Sequence, residues 1–244
     1  MALADLGAFG VALVAYNNLL NLWRPFRGPL YVPLNLSAAG AAMGLGFGPM
    51  GLAADEIGLQ FNAEHLLLGI SIGVLISGPL LAMSLFDRTT HLIADRRVAG
   101  LEGRALAYQT LVRVPLGTAL VEEILFRGVL FAGLRQYGVG RAAILSALVF
   151  GLWHISPTWV MVRENRPGWG QSSSLRVILG AVILTFVAGV AVAWLRDASG
   201  DLSAPFAAHA VMNSLSTFAG VMANRRIATS RAARPRPHRA KGTI

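Results

Sequence analysis

The chain has 244 residues, of which 55% are hydrophobic and only 14% charged, with a mean hydropathy of +0.57. Soluble domains carry about 25% charged residues, so this composition excludes an ordinary soluble enzyme and predicts an all-α polytopic membrane protein. Seven of the nine net positive charges sit on Arg225, Arg226, Arg231, Arg234, Arg236, Arg239 and Lys241. What remains for residues 1–223 is +2, which excludes a basic nucleic-acid-binding surface, and no nucleic-acid partner is expected.

In chain order, seven apolar runs come near the roughly 20 residues that a helix needs to cross the hydrocarbon core. Residues 6–23 form the first, interrupted by Asn17, Asn18 and Asn21 and stopped by Arg24-Pro25-Phe26-Arg27. No basic segment or small-residue cleavage site precedes it, which predicts a retained span. The second, 30–54, contains Gly40, Gly44, Gly46 and Gly48, small residues that allow close helix approach. An acidic loop with Asp55, Glu56 and Glu64 follows, and His65 at its end is expected to be interfacial. The third run is 66–86, and the loop after it carries Arg88, Arg96, Arg97 and Arg104, with His91 expected to be solvated.

Run four, 105–135, is longer than a simple crossing, so it is expected to tilt, break near Gly128 or continue along the interface. Run five, 142–162, contains Pro157, which can kink it. Run six, 177–195, reads as a packing helix, and the turn 197–201 leads into run seven, 202–224. The expected organisation is one bundle of seven or eight transmembrane helices over residues 1–224 and a basic, disordered cytoplasmic tail over 225–244 whose partners are water and anionic lipid headgroups. Basic residues in short loops fall on one side and the two acidic turns on the other, with Arg135 and Arg141 as exceptions. Arginine outnumbers lysine twenty to one, a bacterial codon signature, so a bacterial inner membrane is expected.

Chemistry concentrates in three places. In VEEILFRGVL, 121–130, Glu123 and Arg127 stand four apart and share a helix face, a spacing suited to an ion pair. Glu122 is then the spare carboxylate, about 100° away around the helix. His154 follows Phe150 by four residues in FGLWH, and His209 precedes Asn213 by four in HAVMN. Ionisable groups at membrane depth are expensive, at roughly 2.5 to 3.5 kcal/mol on insertion scales. Polar groups at similar depth on three helices therefore suggest one shared site. A carboxylate and an imidazole can hold a water and take its proton as it attacks a carbonyl. A second imidazole and an amide can donate to the developing oxyanion. Glu122, His154 and His209 also make up a three-ligand zinc set, so a metal-dependent and a metal-independent mechanism both stay open. Phe150 reads as packing. The HExxH helix is absent, and with no cysteine the chain has no disulfide, thiolate zinc site or cysteine nucleophile.

The segments EEILFR (122–127), FGLWH (150–154) and HAVMN (209–213) resemble, in order, the EExxxR, FxxxH and HxxxN motifs of the CAAX protease and bacteriocin-processing family of intramembrane proteases. The resemblance covers about residues 105–224. It implies a membrane endopeptidase in which Glu122 and His154 activate water, His209 and Asn213 support the oxyanion or a metal, and the substrate is a membrane-associated peptide or protein. The alternatives are an inactive scaffold or bacteriocin-immunity protein of the same fold, and a proton-coupled transporter that uses Glu122 and the histidines as a relay.

Overall fold

The computed structural model describes residues 2–232, which are helical with no strand among them. Eight main helices follow one another. They are α1 (Leu3–Leu22), α2 (Tyr31–Phe47), α3 (Ala63–Met83), α4 (103–134), α5 (Val139–Trp153), α6 (Ile155–Asn165), α7 (Gln171–Ser199) and α8 (Ser203–Ala232). Short helical turns fill the loops.

Every residue of α4 from Val121 to Leu134 is buried. The apolar core is built around that stretch, with Leu6 and Leu13 of α1, Ala39 and Ala42 of α2, Phe150 and Trp153 of α5 and Ala193 of α7 packed together with it. A helix buried all round is a central one. Its winding is also unusual, with i→i+5 bonding over Gln109–Leu120 and Glu123–Leu130, a widening often found at functional sites.

The outer helices show the opposite pattern. Leu67 and Leu75 of α3 and Ile183, Leu184 and Val187 of α7 are all more than half exposed, an apolar surface that suits lipid. Among the described residues four stretches are long and apolar enough to cross a membrane: Leu3–Leu22, Ala63–Met83, Val139–Asn165 and Gln171–Ser199. The expected run 30–54 shortens to the 17 residues of α2, because Gly48, Pro49 and Gly51 break the helix, with Gly51 at φ +63°. The central run 103–134 is interrupted by charges. At the other end of the chain, α8 continues to Ala232, so Arg225, Arg226 and Arg231 are helical, a correction to the expected disorder of 225–232. Arg225 donates to the Leu101 carbonyl and Arg226 pairs with Asp87, contacts that extend the helix. The remainder of that expected tail, 233–244, lies outside the described residues.

Close helix approach comes from small residues. A Cβ on Gly69 would stand 2.3 Å from the Ala204 carbonyl oxygen, and one on Gly73 would stand 2.8 Å from Val211 Cβ. The α3–α8 seam therefore requires glycine at both positions. Gly69→Leu or Gly73→Leu should lower the unfolding temperature in detergent by more than ordinary overpacking, which costs about 1–3 kcal/mol. An unchanged melting curve would contradict the seam.

The two ends of the bundle are tied by different groups. At one end, Arg27 pairs with Glu164 at 2.8 Å, and Asp95, Asn165 and Asn224 are hydrogen-bonded together. At the other, the buried Arg196 donates to the Glu56 carbonyl at 2.9 Å, and Arg135 pairs with Asp197 at 3.0 Å. Arg135, an exception to the charge rule, thus has an acidic partner at its own end.

His65 is likewise a partner rather than a free interfacial side chain, since its Nδ1 lies 2.5 Å from Asp201. Burial pushes the Asp201 carboxyl up, but the bonds it accepts from His65 and from the Ser203 N–H outweigh this and hold it below the usual carboxylate range. A depressed folded value means that the carboxylate's contribution to stability is complete at neutral pH. That contribution declines as pH falls below the ordinary Asp value of about 3.9 toward the folded value. Melting curves between pH 6 and 3 should therefore show a steeper acid loss in the natural chain than in Asp201→Asn, and identical slopes would remove the role assigned to this carboxylate.

Candidate active site

Glu122 and Glu123 lie where the two widened stretches of α4 meet. Both are buried, at 5% and 0% exposure. Glu123 does pair with Arg127, whose Nη1 is 3.3 Å from Oε1. The same oxygen accepts from His209 Nδ1 at 2.8 Å, so Glu123 both neutralises the arginine and orients a histidine from α8. Arg127 is further held at 4.1 Å over the Phe150 ring and donates to the Gly189 carbonyl of α7.

Glu122 points elsewhere, as the helix geometry predicts. Its Oε1 accepts from the indole Nε1 of Trp153 at 3.1 Å. Its Oε2 is buried without a hydrogen-bond partner and faces His209 Nε2 at 3.7 Å. One oxygen is anchored by the indole and the other makes no protein hydrogen bond.

His154 sits at a break in its helix. Its backbone, at φ −87° and ψ 3°, ends α5 and begins α6. Pro157 supplies the cause, for it has no N–H to give to the Trp153 carbonyl four residues back and its ring crowds that carbonyl. The ring Nδ1 of His154 lies 2.8 Å from the Phe150 carbonyl, and since a carbonyl only accepts, Nδ1 carries the proton and Nε2 is left as an acceptor. Phe150 packs edge-on against both histidines, at 4.6 Å from His154 and 6.3 Å from His209.

α8 delivers the last pair. His209 is buried and Asn213, one turn on, is partly buried, with no described hydrogen bond to its amide. The i, i+4 spacing puts both on one face.

The structure thus brings Glu122, Glu123, Arg127, Phe150, His154 and His209 into one neighbourhood, with Asn213 on the same α8 face as His209. It does not bring Glu122, His154 and His209 into a ligand cage. Among the described residues no group of three or more histidine, aspartate and glutamate side chains is placed to hold a metal ion. His154 Nδ1, His209 Nδ1 and Glu122 Oε1 are each committed to protein partners.

Three residues of the neighbourhood escape the sequence reading. Trp153 holds Glu122 and is stacked on Tyr16 at 6.1 Å. Asn17 and Asn18 of α1 bond to the backbone at the α5–α6 break. Polar residues in an otherwise apolar run were the available signal for the asparagines. Nothing local distinguishes Trp153 from a packing aromatic.

A family model described as type II CAAX prenyl endopeptidase, Rce1-like, matches residues 104–215. All seven motif residues fall within that stretch, and α1, α2 and α3 fall outside it. No curated protein and no solved structure matches the chain.

Proposed function

We propose, from the premise that this chain belongs over residues 104–215 to the Rce1-like type II CAAX prenyl endopeptidase family, that it is an intramembrane endopeptidase acting on a membrane-associated peptide or protein. The observation that carries this reading is the buried, unpartnered Glu122 Oε2 beside His209 Nε2. A buried carboxylate oxygen without a protein hydrogen bond, next to an imidazole and within the electrostatic reach of a second one on His154, is suited to receive a proton from a water.

In this mechanism Glu122 Oε2 and His154 Nε2 both accept from the attacking water. As the water oxygen bonds to the scissile carbonyl carbon, its proton passes to Glu122, which then delivers it to the leaving amine. With Nδ1–H of His209 given to Glu123, Nε2 is the atom left to reach the reacting carbonyl, and it donates there in the imidazolium form, whose charge Glu122 and Glu123 offset. Asn213 supplies an amide on the same helix face. Donors aimed at an oxyanion are worth roughly 2.7–4 kcal/mol each in the best-measured cases. Glu123 and Arg127 act through position, and the Phe150 ring packs under the Arg127 guanidinium.

The proposed setting is a bacterial inner membrane crossed about seven times, with the Arg27–Glu164 end and α8's carboxyl end cytoplasmic. The family description names prenylated CAAX substrates, and membrane-anchored peptides of that general kind are the first class to try. The test compares membrane-peptide fragments from cells that contain the natural chain with those from cells that contain Glu122→Gln at equal abundance. Fragments present only with the natural chain support the assignment, and identical fragment sets overturn it.

A further inference from the structure

The α5–α6 break frees three backbone groups close to the candidate site. In an unbroken helix the Pro157 nitrogen would satisfy the Trp153 carbonyl, and the Ser156 N–H would satisfy the Leu152 carbonyl. The proline removes the first bond and displaces the second. Buried backbone groups without partners are rare because each carries a desolvation penalty.

All three groups are taken up by α1. Asn17 Nδ2 donates to the Trp153 carbonyl at 2.8 Å, in place of the proline nitrogen. Asn18 spans the second gap, for its Nδ2 donates to the Leu152 carbonyl at 3.0 Å and its Oδ1 accepts from the Ser156 N–H at 2.7 Å. Asn17 is itself fixed, since its Oδ1 accepts from Asn21 at 2.7 Å and it is only 3% exposed. Tyr16 adds a stacked ring on Trp153.

The residues anchored in this way are Trp153, whose indole holds Glu122, and, between the two bridged gaps, His154. We infer that Asn17 and Asn18 are positioning residues for the hydrolytic site: they fix the bend that places His154 and Trp153, so α1, outside the family-matched segment, is part of the working machinery. This rests on the peptidase reading for its kinetic arm only.

The test uses the full chain with Asn17→Leu and Asn18→Leu, which are near-isosteric and cannot bridge. Reaction of each histidine with diethyl pyrocarbonate, read by mass spectrometry, reports on the geometry without reference to catalysis, and the exposed His91 serves as internal standard. His154 labelling should rise several-fold against His91, while His209 of α8, held by Glu123 of α4, should not change. On any peptide that the natural chain cleaves, kcat should fall on the order of 10- to 100-fold with KM nearly unchanged, as a sub-ångström to ångström misplacement of a reacting group predicts.

Asn18→Asp keeps the acceptor for Ser156 N–H and should lie nearer the natural chain in both readouts. If a leucine variant does not accumulate folded, Asn18→Ser, which is too short to span the gap, is read in the same way. Unchanged His154 labelling with unchanged kcat, whatever happens to the melting temperature, reduces the asparagines to helix glue and overturns the inference. Unaltered cleavage in Glu122→Gln would instead sink the peptidase reading and leave the labelling result standing.

Discussion

Glu122→Gln should lower peptide-bond cleavage by about 10²–10⁴-fold, the usual contribution of a positioned general base, while the protein accumulates in the membrane at its natural level. The amide keeps the shape of the side chain and can still accept from Trp153 Nε1, so packing around α4 should survive. What disappears is the free oxygen that faces His209 Nε2 at 3.7 Å. The measurement is turnover of a membrane peptide by purified, reconstituted protein, with melting temperature as control. Retained turnover with intact folding would transfer the chemistry to some other group and leave the arrangement around Glu122 as architecture.

Arg127→Ala should do the reverse, with stability falling first. Arg127 is 2% exposed and bonded to a fully buried carboxylate. Removal of one partner of a buried pair costs about 3–5 kcal/mol, because the other charge is left uncompensated. The variant should therefore reach the membrane in far smaller amounts than Glu122→Gln, and what folds should melt earlier. A double replacement, Arg127→Met with Glu123→Gln, removes both charges and should recover much of the lost stability. It should not recover turnover, since Glu123 also accepts from His209 Nδ1 at 2.8 Å. Equal melting temperatures for Arg127→Ala and the natural chain would show that the pair contributes little.

The division of labour between the adjacent carboxylates is legible from helix geometry, because a residue four positions from an arginine shares its face and its neighbour cannot. The same rule pairs His209 with Asn213. Glu123's second duty, the orientation of His209, is not legible, since it depends on where α8 lies against α4. Nor is the lack of a three-ligand cage among the described residues, which depends on how α4, α5 and α8 are set against one another. The span count shows the same limit. Apolar length alone gives seven crossings, whereas among the described residues four stretches have both the length and the apolarity to cross without help. The central α4 can carry Glu122, Glu123 and Arg127 because its neighbours, not lipid, surround it.

By itself the amino-acid order determined the membrane class, the helical architecture, the pairing of Glu123 with Arg127 and the proline bend after His154, all consequences of local spacing and of the solvation of each residue type. Tertiary structure alone decided that Trp153 anchors one oxygen of Glu122, that two asparagines of the first helix close the gap Pro157 opens, and that Glu123 serves His209 as well as Arg127. Those contacts join residues 31 to 138 positions apart. At such separations no periodicity in the chain encodes which groups will meet, and the packing of whole helices selects the partners.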